Sequence, residues 1–302
     1  MVAMKRIEST TSRTAQWTCV ARAASSLETD VHHRCDDHIA IRLVPTFIRL
    51  MLQVPVFRRF VTRVFTPAGI YDYVIARTKY IDAIFKEALF KRFDQILIFG
   101  AGFDTRALRF KSEARKTKIF ELDVPITQNA KIDQYRKRKL NVPANVVFVP
   151  INFDKETPSA KLEAYKFNNK ARSLFILEGL LMYLRPESVD ETFRTIGEFA
   201  GDGSIVVFDY VQASVLKQTG LLYGQREIVN AVAKAEEQWH FGLEKEHVEE
   251  FLFKYELKLS DHKDARELEE MYFKDPSGKI KGRINATHCL VRAMKSSRDS
   301  AA

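Results

Sequence analysis

From about residue 94 to the C-terminus the chain alternates short apolar runs with longer stretches of helical spacing, and nothing else restricts its fold so strongly. The runs are QILIF at 95–99, KIFEL at 118–122, NVVFV at 145–149, RSLFIL at 172–177 and SIVVFDYV at 204–211. Each is rich in β-branched or aromatic residues and nearly continuous in hydrophobicity, as parallel strands covered on both faces require. Two more polar runs, KYELKLS at 254–260 and ATHCLVRA at 286–293, read as an edge strand and its antiparallel neighbour. The pattern predicts an α/β fold over residues 94–295: a doubly wound, mostly parallel sheet of seven strands. Pro186-Glu187 opens a crossover helix with Val189, Phe193, Ile196 and Phe199 at helical spacing, and Gly201 and Gly203 close it. EKEHVEEFLF at 244–253 reads as a helix leading into the 254–260 strand.

Residues 1–93 carry no strand alternation and predict an N-terminal helical cap. Within it, LVPTFIRLMLQVPVFRRFVTRVF at 43–65 is apolar with interspersed Arg49, Arg58, Arg59 and Arg63. We read this segment as a lid over a site. The competing reading, a helix lying on a membrane surface, is opposed by Pro45 and Pro55, which interrupt a continuous amphipathic face. The SSRDSAA tail at 296–302 is expected to be disordered.

Hydrophobic residues make up 46% and charged residues 29% of 302, with 12 Gly and 9 Pro, which excludes collagen-like and low-complexity chains. Lys+Arg exceed Asp+Glu by 48 to 39, but the surplus is scattered. The YRKRK run at 135–139 falls on the polar face of a predicted helix without interleaved aromatics, so it reads as solvated, with no nucleic-acid partner. Cys19, Cys35 and Cys289 cannot form a closed disulfide set. No run reaches signal-peptide or spanning length, so the expectation is a cytoplasmic protein without stable membrane insertion. His32, His33, Cys35 and His38 lack a second ligand cluster and read as a polar loop, with no metal.

The chemistry is concentrated in QILIFGAGFDTRALRF at 95–110, a predicted strand running into Gly100-Ala101-Gly102 and then a helix. Glycines there let the backbone turn sharply and approach a ligand. The next strand ends in Asp123, 21 residues beyond Gly102, where a carboxylate can accept from both ribose hydroxyls of a nucleoside cofactor. The plainer reading of Asp123 is a helix cap before Val124-Pro125. Asp104 stands where a dinucleotide fingerprint keeps its third glycine region clear. A carboxylate repels a pyrophosphate and suits a sulfonium or an α-ammonium group, so S-adenosylmethionine fits better than NAD.

FGAGFDTR at 99–106, FELDVP at 120–125 and LEGLLMYLRPE at 177–187 together resemble the leucine carboxyl methyltransferase family of S-adenosylmethionine-dependent enzymes. Weaker likeness runs from about Cys19 to His288 through ARAASSLETD, YVIARTKYID, FDYV and WHFGLEKEHVEEFL. The resemblance implies a Rossmann-like methyltransferase sheet and a set of cofactor residues. Arg77 matches the arginine that grips the methionine carboxylate, and Arg22 a further basic residue near it. Gly100, Ala101 and Gly102 match the loop under the cofactor, Asp123 the ribose acid and Glu178 a glutamate near the methionine end. Relatives usually carry Asp-Leu at the adenine, where this chain has Asn152-Phe153; Asn can accept from the adenine amino group and Phe can cover the ring, or Asp154 can take the role.

The implied reaction is O-methylation of a carboxylate or hydroxyl of a small molecule or peptide. A carboxylate needs positioning cations rather than a base, and Arg106 or an arginine of the helical cap is the candidate; a hydroxyl needs a base, for which Tyr210 and His240 are candidates. An NAD-binding oxidoreductase and a non-catalytic binding protein of the same fold are the alternatives.

Overall fold

The structure, a computed structural model, describes residues 11–64, 66–217 and 220–295. The expected disordered tail at 296–302 lies outside the described residues. Four short helices come first: α1 (Arg13–Ser25), α2 (Ala40–Leu43), α3 (Thr46–Gln53) and α4 (Pro55–Val64); the long α5 (Ile70–Phe90) follows. The strands are β1 (Gln95–Phe99), β2 (Lys118–Asp123), β3 (Val146–Pro150), β4 (Ser173–Leu177), β5 (Ile205–Val211), β6 (Leu257–Lys263) and β7 (His288–Lys295). Between them lie α6 (Arg106–Arg109), α7 (Pro125–Lys137), α8 (Pro158–Ala164), α9 (Pro186–Phe199), α10 (Ala213–Leu216), α11 (Gln225–Ala235), α12 (Val248–Phe253) and α13 (Ala265–Tyr272). Proline occupies the first turn of α7, α8 and α9, where its missing N–H costs nothing.

The seven strands form one sheet in the order β3-β2-β1-β4-β5-β7-β6. β1 to β5 are parallel, and β7 runs antiparallel between β5 and the edge strand β6. β1, β4 and β5 are buried along their whole length, the physical reason for their unbroken apolar runs. Alternate residues serve opposite layers. Leu97, Phe99, Phe175, Leu177 and Phe208 pack with α9 and α12 through Phe193, Ile196 and Leu252. Ile96, Ile98, Leu174, Ile176 and Val207 pack with α5 and α13 through Ile81, Phe85 and Leu268.

The N-terminal helices divide. α5 belongs to the sheet's own packing, whereas α1 to α4 build a separate apolar cluster with Phe103, Leu108 and Tyr135. The prolines of the 43–65 segment start helices rather than break one: Pro45 precedes α3 and Pro55 is the first residue of α4. Among the described residues no helix is long and apolar enough to cross a membrane. Chain order reverses between β1 and β4, which opens a crevice beyond their carboxyl ends.

Candidate functional site

A cavity of about 560 Å³ occupies that crevice, bordered by the ends of β1, β2, β3 and β4, by α1 and α5, and by the loop following α11. Gly100, Ala101, Gly102 and Asp104 line it from the β1 end. Gly100 and Gly102 have φ of +63° and +44°, and a Cβ on Gly100 would come within 2.9 Å of Leu180 Cδ1. The turn therefore needs glycine both for its backbone and for the space beside it.

Asp123 lines the cavity from the end of β2, and its two oxygens accept the backbone N–H groups of Gly102 and Val124. The cap of α7 is Val124, so Asp123 does not serve as the cap residue. Burial raises the Asp123 pKa to about 6 in spite of those two hydrogen bonds. Each oxygen keeps a lone pair for a further donor.

Asn152, Phe153 and Asp154 line the cavity beyond β3. Asn152 Oδ1 accepts the Asp154 N–H at 3.1 Å, and the Phe153 ring lies against Phe99 with centroids 6.1 Å apart. Asp154 faces Arg185 at 3.4 Å.

Four arginines and five acids meet behind the cavity wall at the ends of β1 and β4. Arg77 donates through Nε to Glu178 at 3.0 Å and through Nη1 to Asp209 at 2.6 Å, and Tyr73 donates to the same Asp209 oxygen at 2.7 Å. Arg106 donates to Asp82 at 2.8 Å, to Glu178 at 2.7 Å and to Asp104. Arg22 donates to Asp37 at 2.8 Å and to the Phe103 carbonyl at 2.7 Å, while Arg109 holds Asp82 with two bonds and approaches Asp37 at 3.5 Å. Burial alone would raise the Glu178 pKa, but the guanidiniums of Arg106, Arg77 and Arg22 outweigh it and hold it at about 2. Glu178 is thus a fixed carboxylate at the end of β4, suited to a cationic ligand group.

Three expectations need correction. Arg106 does not line the cavity; it is buried beneath Asp82, Asp104 and Glu178 and orients those acids rather than meeting an acceptor. Tyr210 is fully buried in the sheet core, with its hydroxyl 3.0 Å from His262 Nε2 and away from the cavity. The lid is also elsewhere: no described residue of 43–65 lines the cavity, and α1 and the 236–240 loop close that side. His240 does line it, with its backbone N–H donating to the Met182 carbonyl at 2.7 Å.

Sequence reasoning missed Tyr73, Asp82, Asp209 and His288. Tyr73 and Arg77 are one helical turn apart on α5, and Asp209 is the acid inside the otherwise apolar SIVVFDYV run, so both left a trace. His288 lines the cavity between the rings of Tyr73, stacked at 4.5 Å, and Trp239, edge-on at 5.4 Å. Burial lowers its pKa to about 4, so it is neutral at pH 7. Thr287 commits its one hydroxyl proton to Asn285 Oδ1, so at 2.8 Å from His288 Nδ1 it accepts. The neutral imidazole therefore carries its proton on Nδ1 and leaves Nε2 as an acceptor. Among the described residues no group of three or more His, Cys, Asp or Glu is placed to hold a metal ion.

A doubly wound seven-stranded sheet with a glycine turn and an acid-lined crevice at its switch point is the Rossmann-like α/β architecture shared with methyltransferase structures. Residues 15–197 match the model of the leucine carboxyl methyltransferase family, and the chain belongs to that family. It is 25% identical over 199 residues to YktD of Bacillus subtilis, named by inference as an S-adenosyl-L-methionine-dependent methyltransferase, a match covering 66% of this chain and 65% of that protein. It is 32% identical over 146 residues to a protein of Mycobacteroides abscessus named in the same way, covering 48% of this chain and 47% of the relative. The chain thus matches from about half to just under two thirds of the length of these relatives. A crystal structure of an inferred methyltransferase from Thermobifida fusca superposes with a TM-score of 0.58 at 15% identity, covering 92% of this chain and 94% of the other, which places the fold.

Proposed function

We propose that the protein is an O-methyltransferase that uses S-adenosylmethionine and that its acceptor oxygen is a neutral hydroxyl, such as a phenol, of a small molecule. Asp123 would take the ribose hydroxyls, Asn152 and Phe153 the adenine, and Glu178 and Asp104 the methionine ammonium. Arg22 and Arg77 would take the methionine carboxylate, through the guanidinium nitrogens not used in the pairs above. The glycine turn supports this fit, since a Cβ would fill space beside it. When bound, the cofactor supplies an electrophilic methyl on a sulfonium.

The observation that carries the hydroxyl reading is the charge of the cavity wall. Asp104, Asp123, Asp154, Glu178, Glu236 and Glu237 line it against Arg22 and Arg77, both already paired with buried acids. An anionic acceptor entering there meets repulsion, whereas a neutral hydroxyl does not. A hydroxyl must lose its proton as the new O–C bond forms, and His288, a neutral imidazole lining the same wall, offers an acceptor. The aromatic rings of Tyr73 and Trp239 beside it suit a flat apolar body. The family's description favours a carboxylate acceptor as the second reading.

Transfer of labelled methyl to mixed libraries of phenols, alcohols and carboxylic acids separates the two. An ether survives mild alkali and an ester releases methanol. We expect alkali-stable product, with His288→Gln lowering kcat about 10²-fold and leaving S-adenosylhomocysteine affinity unchanged. Alkali-labile product would assign the carboxylate reading, and N- or S-methylated product would end both.

A further inference from the structure

With the cavity closed by other elements, the α3–α4 hairpin turns its outer side to solvent. Its inner side is well held: Leu52 and Val61 enter the apolar cluster with α1, and buried Arg58 binds Glu28 at 3.0 Å and the Leu52 carbonyl at 3.0 Å. Its outer side carries Phe47, Leu50, Val54, Val56 and Phe57, all exposed, with Phe47 at 70% and Val56 at 75%. Apolar residues clustered in this way mark an interaction surface rather than chance exposure.

The charge around the cluster has one sign. From Ile39 to Tyr71 the sequence holds five arginines and no Asp or Glu. Arg59 and Arg63 are exposed on α4. The YRKRK run, which the cofactor site does not use, ends beside the start of α3: Arg42 Nη2 donates to the Arg138 carbonyl at 2.8 Å, and Arg138 Nη2 donates to Thr46 Oγ1 at 3.1 Å. Exposed Lys137 and Lys139 flank that junction.

We propose that the α3–α4 hairpin, with the end of α7 beside it, docks on the surface of a bilayer containing anionic lipid. Phenylalanines and valines sink to the acyl boundary, and the guanidinium and ammonium groups meet lipid phosphates. A second copy of the chain is disfavoured because it would bring two cationic faces together. The exposure of Phe47 and Val56 fits protrusion into a deformable interface; side chains lining a groove for a protein helix would be shaded by its walls. The hairpin lies on the membrane and does not span it. The inference is independent of the acceptor chemistry.

Flotation of the full chain with vesicles of phosphatidylcholine alone, and of phosphatidylcholine mixed with phosphatidylglycerol, tests it at low and high salt. We expect binding to the anionic vesicles at least about tenfold tighter than to neutral ones and weakened by salt. Arg59→Glu/Arg63→Glu should abolish that preference, and Phe47→Ser/Phe57→Ser should weaken binding to both compositions. These side chains are exposed, so S-adenosylhomocysteine affinity and melting temperature serve as the controls that the variants remain folded. Equal recovery with both vesicle types, or no recovery, overturns the proposal. So does a dimer in solution that the phenylalanine variant converts to monomer, since the face would then be a self-interface.

Discussion

At the scale of single residues, Asp123 and Glu178 are two carboxylates on one cavity wall held in opposite directions by their surroundings. Glu178 is kept ionised by three guanidiniums, while Asp123 has two N–H donors and only a minor pull from Lys131, so burial dominates and its pKa rises to about 6. Ribose hydroxyls are best accepted by the ionised form. S-adenosylhomocysteine affinity should therefore fall as pH drops below about 6, by up to roughly tenfold per unit, and Asp123→Asn should bind weakly with no such pH dependence. In the free protein, a folded pKa above the usual value means the fold holds the proton more tightly. This stabilising contribution is present below about 4 and is lost as pH rises through about 6. His288 has the opposite sign: its lowered pKa contributes stability above the usual 6.5 that is lost as pH falls to about 4. His288→Gln should flatten the stability profile across that window by up to about 3 kcal/mol, as read by denaturant titration. A third buried group, Glu121, bonds Lys131 at 2.6 Å with both side chains 1% exposed, and its second oxygen has no partner. Lys131→Met should cost about 3–5 kcal/mol by stranding that carboxylate, and adding Glu121→Leu should recover most of the loss. A cost of Lys131→Met below about 1 kcal/mol would mean water reaches the pair. Residues at strand ends, such as Gly102, Asp123 and Glu178, were legible because a strand–turn–helix pattern in sequence brings them to one edge of the sheet. The acids that bind the arginines were not: Arg77 and Asp209 lie 132 positions apart, and only packing of α5 on β5 joins them.

At the scale of elements, α1 and the end of α11 are tied through the Glu237 side chain. Glu237, just past α11, accepts the backbone N–H groups of Arg13 and Thr14 and the Thr14 hydroxyl, satisfying donors that the first turn of α1 leaves unpaired. Ala15 of the same helix sits 3.2 Å from where a Cβ on Gly102 would be, so α1 rests directly on the glycine turn. Glu237→Ala should cost about 1 kcal/mol, confined to α1 and visible as faster amide exchange there, and should weaken S-adenosylhomocysteine binding several-fold with the sheet's protection unchanged. Exchange that accelerates throughout the sheet would mean α1 is integral to the core. The strands were legible to within about three residues because buried parallel strands leave continuous apolar runs; the two polar runs shifted most, to 257–263 and 288–295. The 43–65 segment was misread for an equally physical reason. Its apolar face and its prolines suit either a lid or an outward-facing hairpin, and the neighbours that decide between them are set by tertiary packing.

At the scale of the whole molecule, a chain with a net charge of +9 directs acids into its cavity and cations to the α3–α4 and α7 surface. That separation would let the proposed cationic cofactor and anionic surface be met on different parts of one molecule without competing. The sheet order, with its reversal between β1 and β4, places the glycine turn, Asp123, Asn152 and Glu178 at four adjacent strand ends. The most direct test is calorimetric titration of wild type and Asp123→Asn with S-adenosylhomocysteine, with NADH as the competing ligand. We predict one micromolar-range site for the sulfur nucleoside that Asp123→Asn weakens at least about tenfold, and no NADH binding. Binding of NADH in its place, or S-adenosylhomocysteine affinity that survives Asp123→Asn unchanged, would contradict the assignment of the cavity.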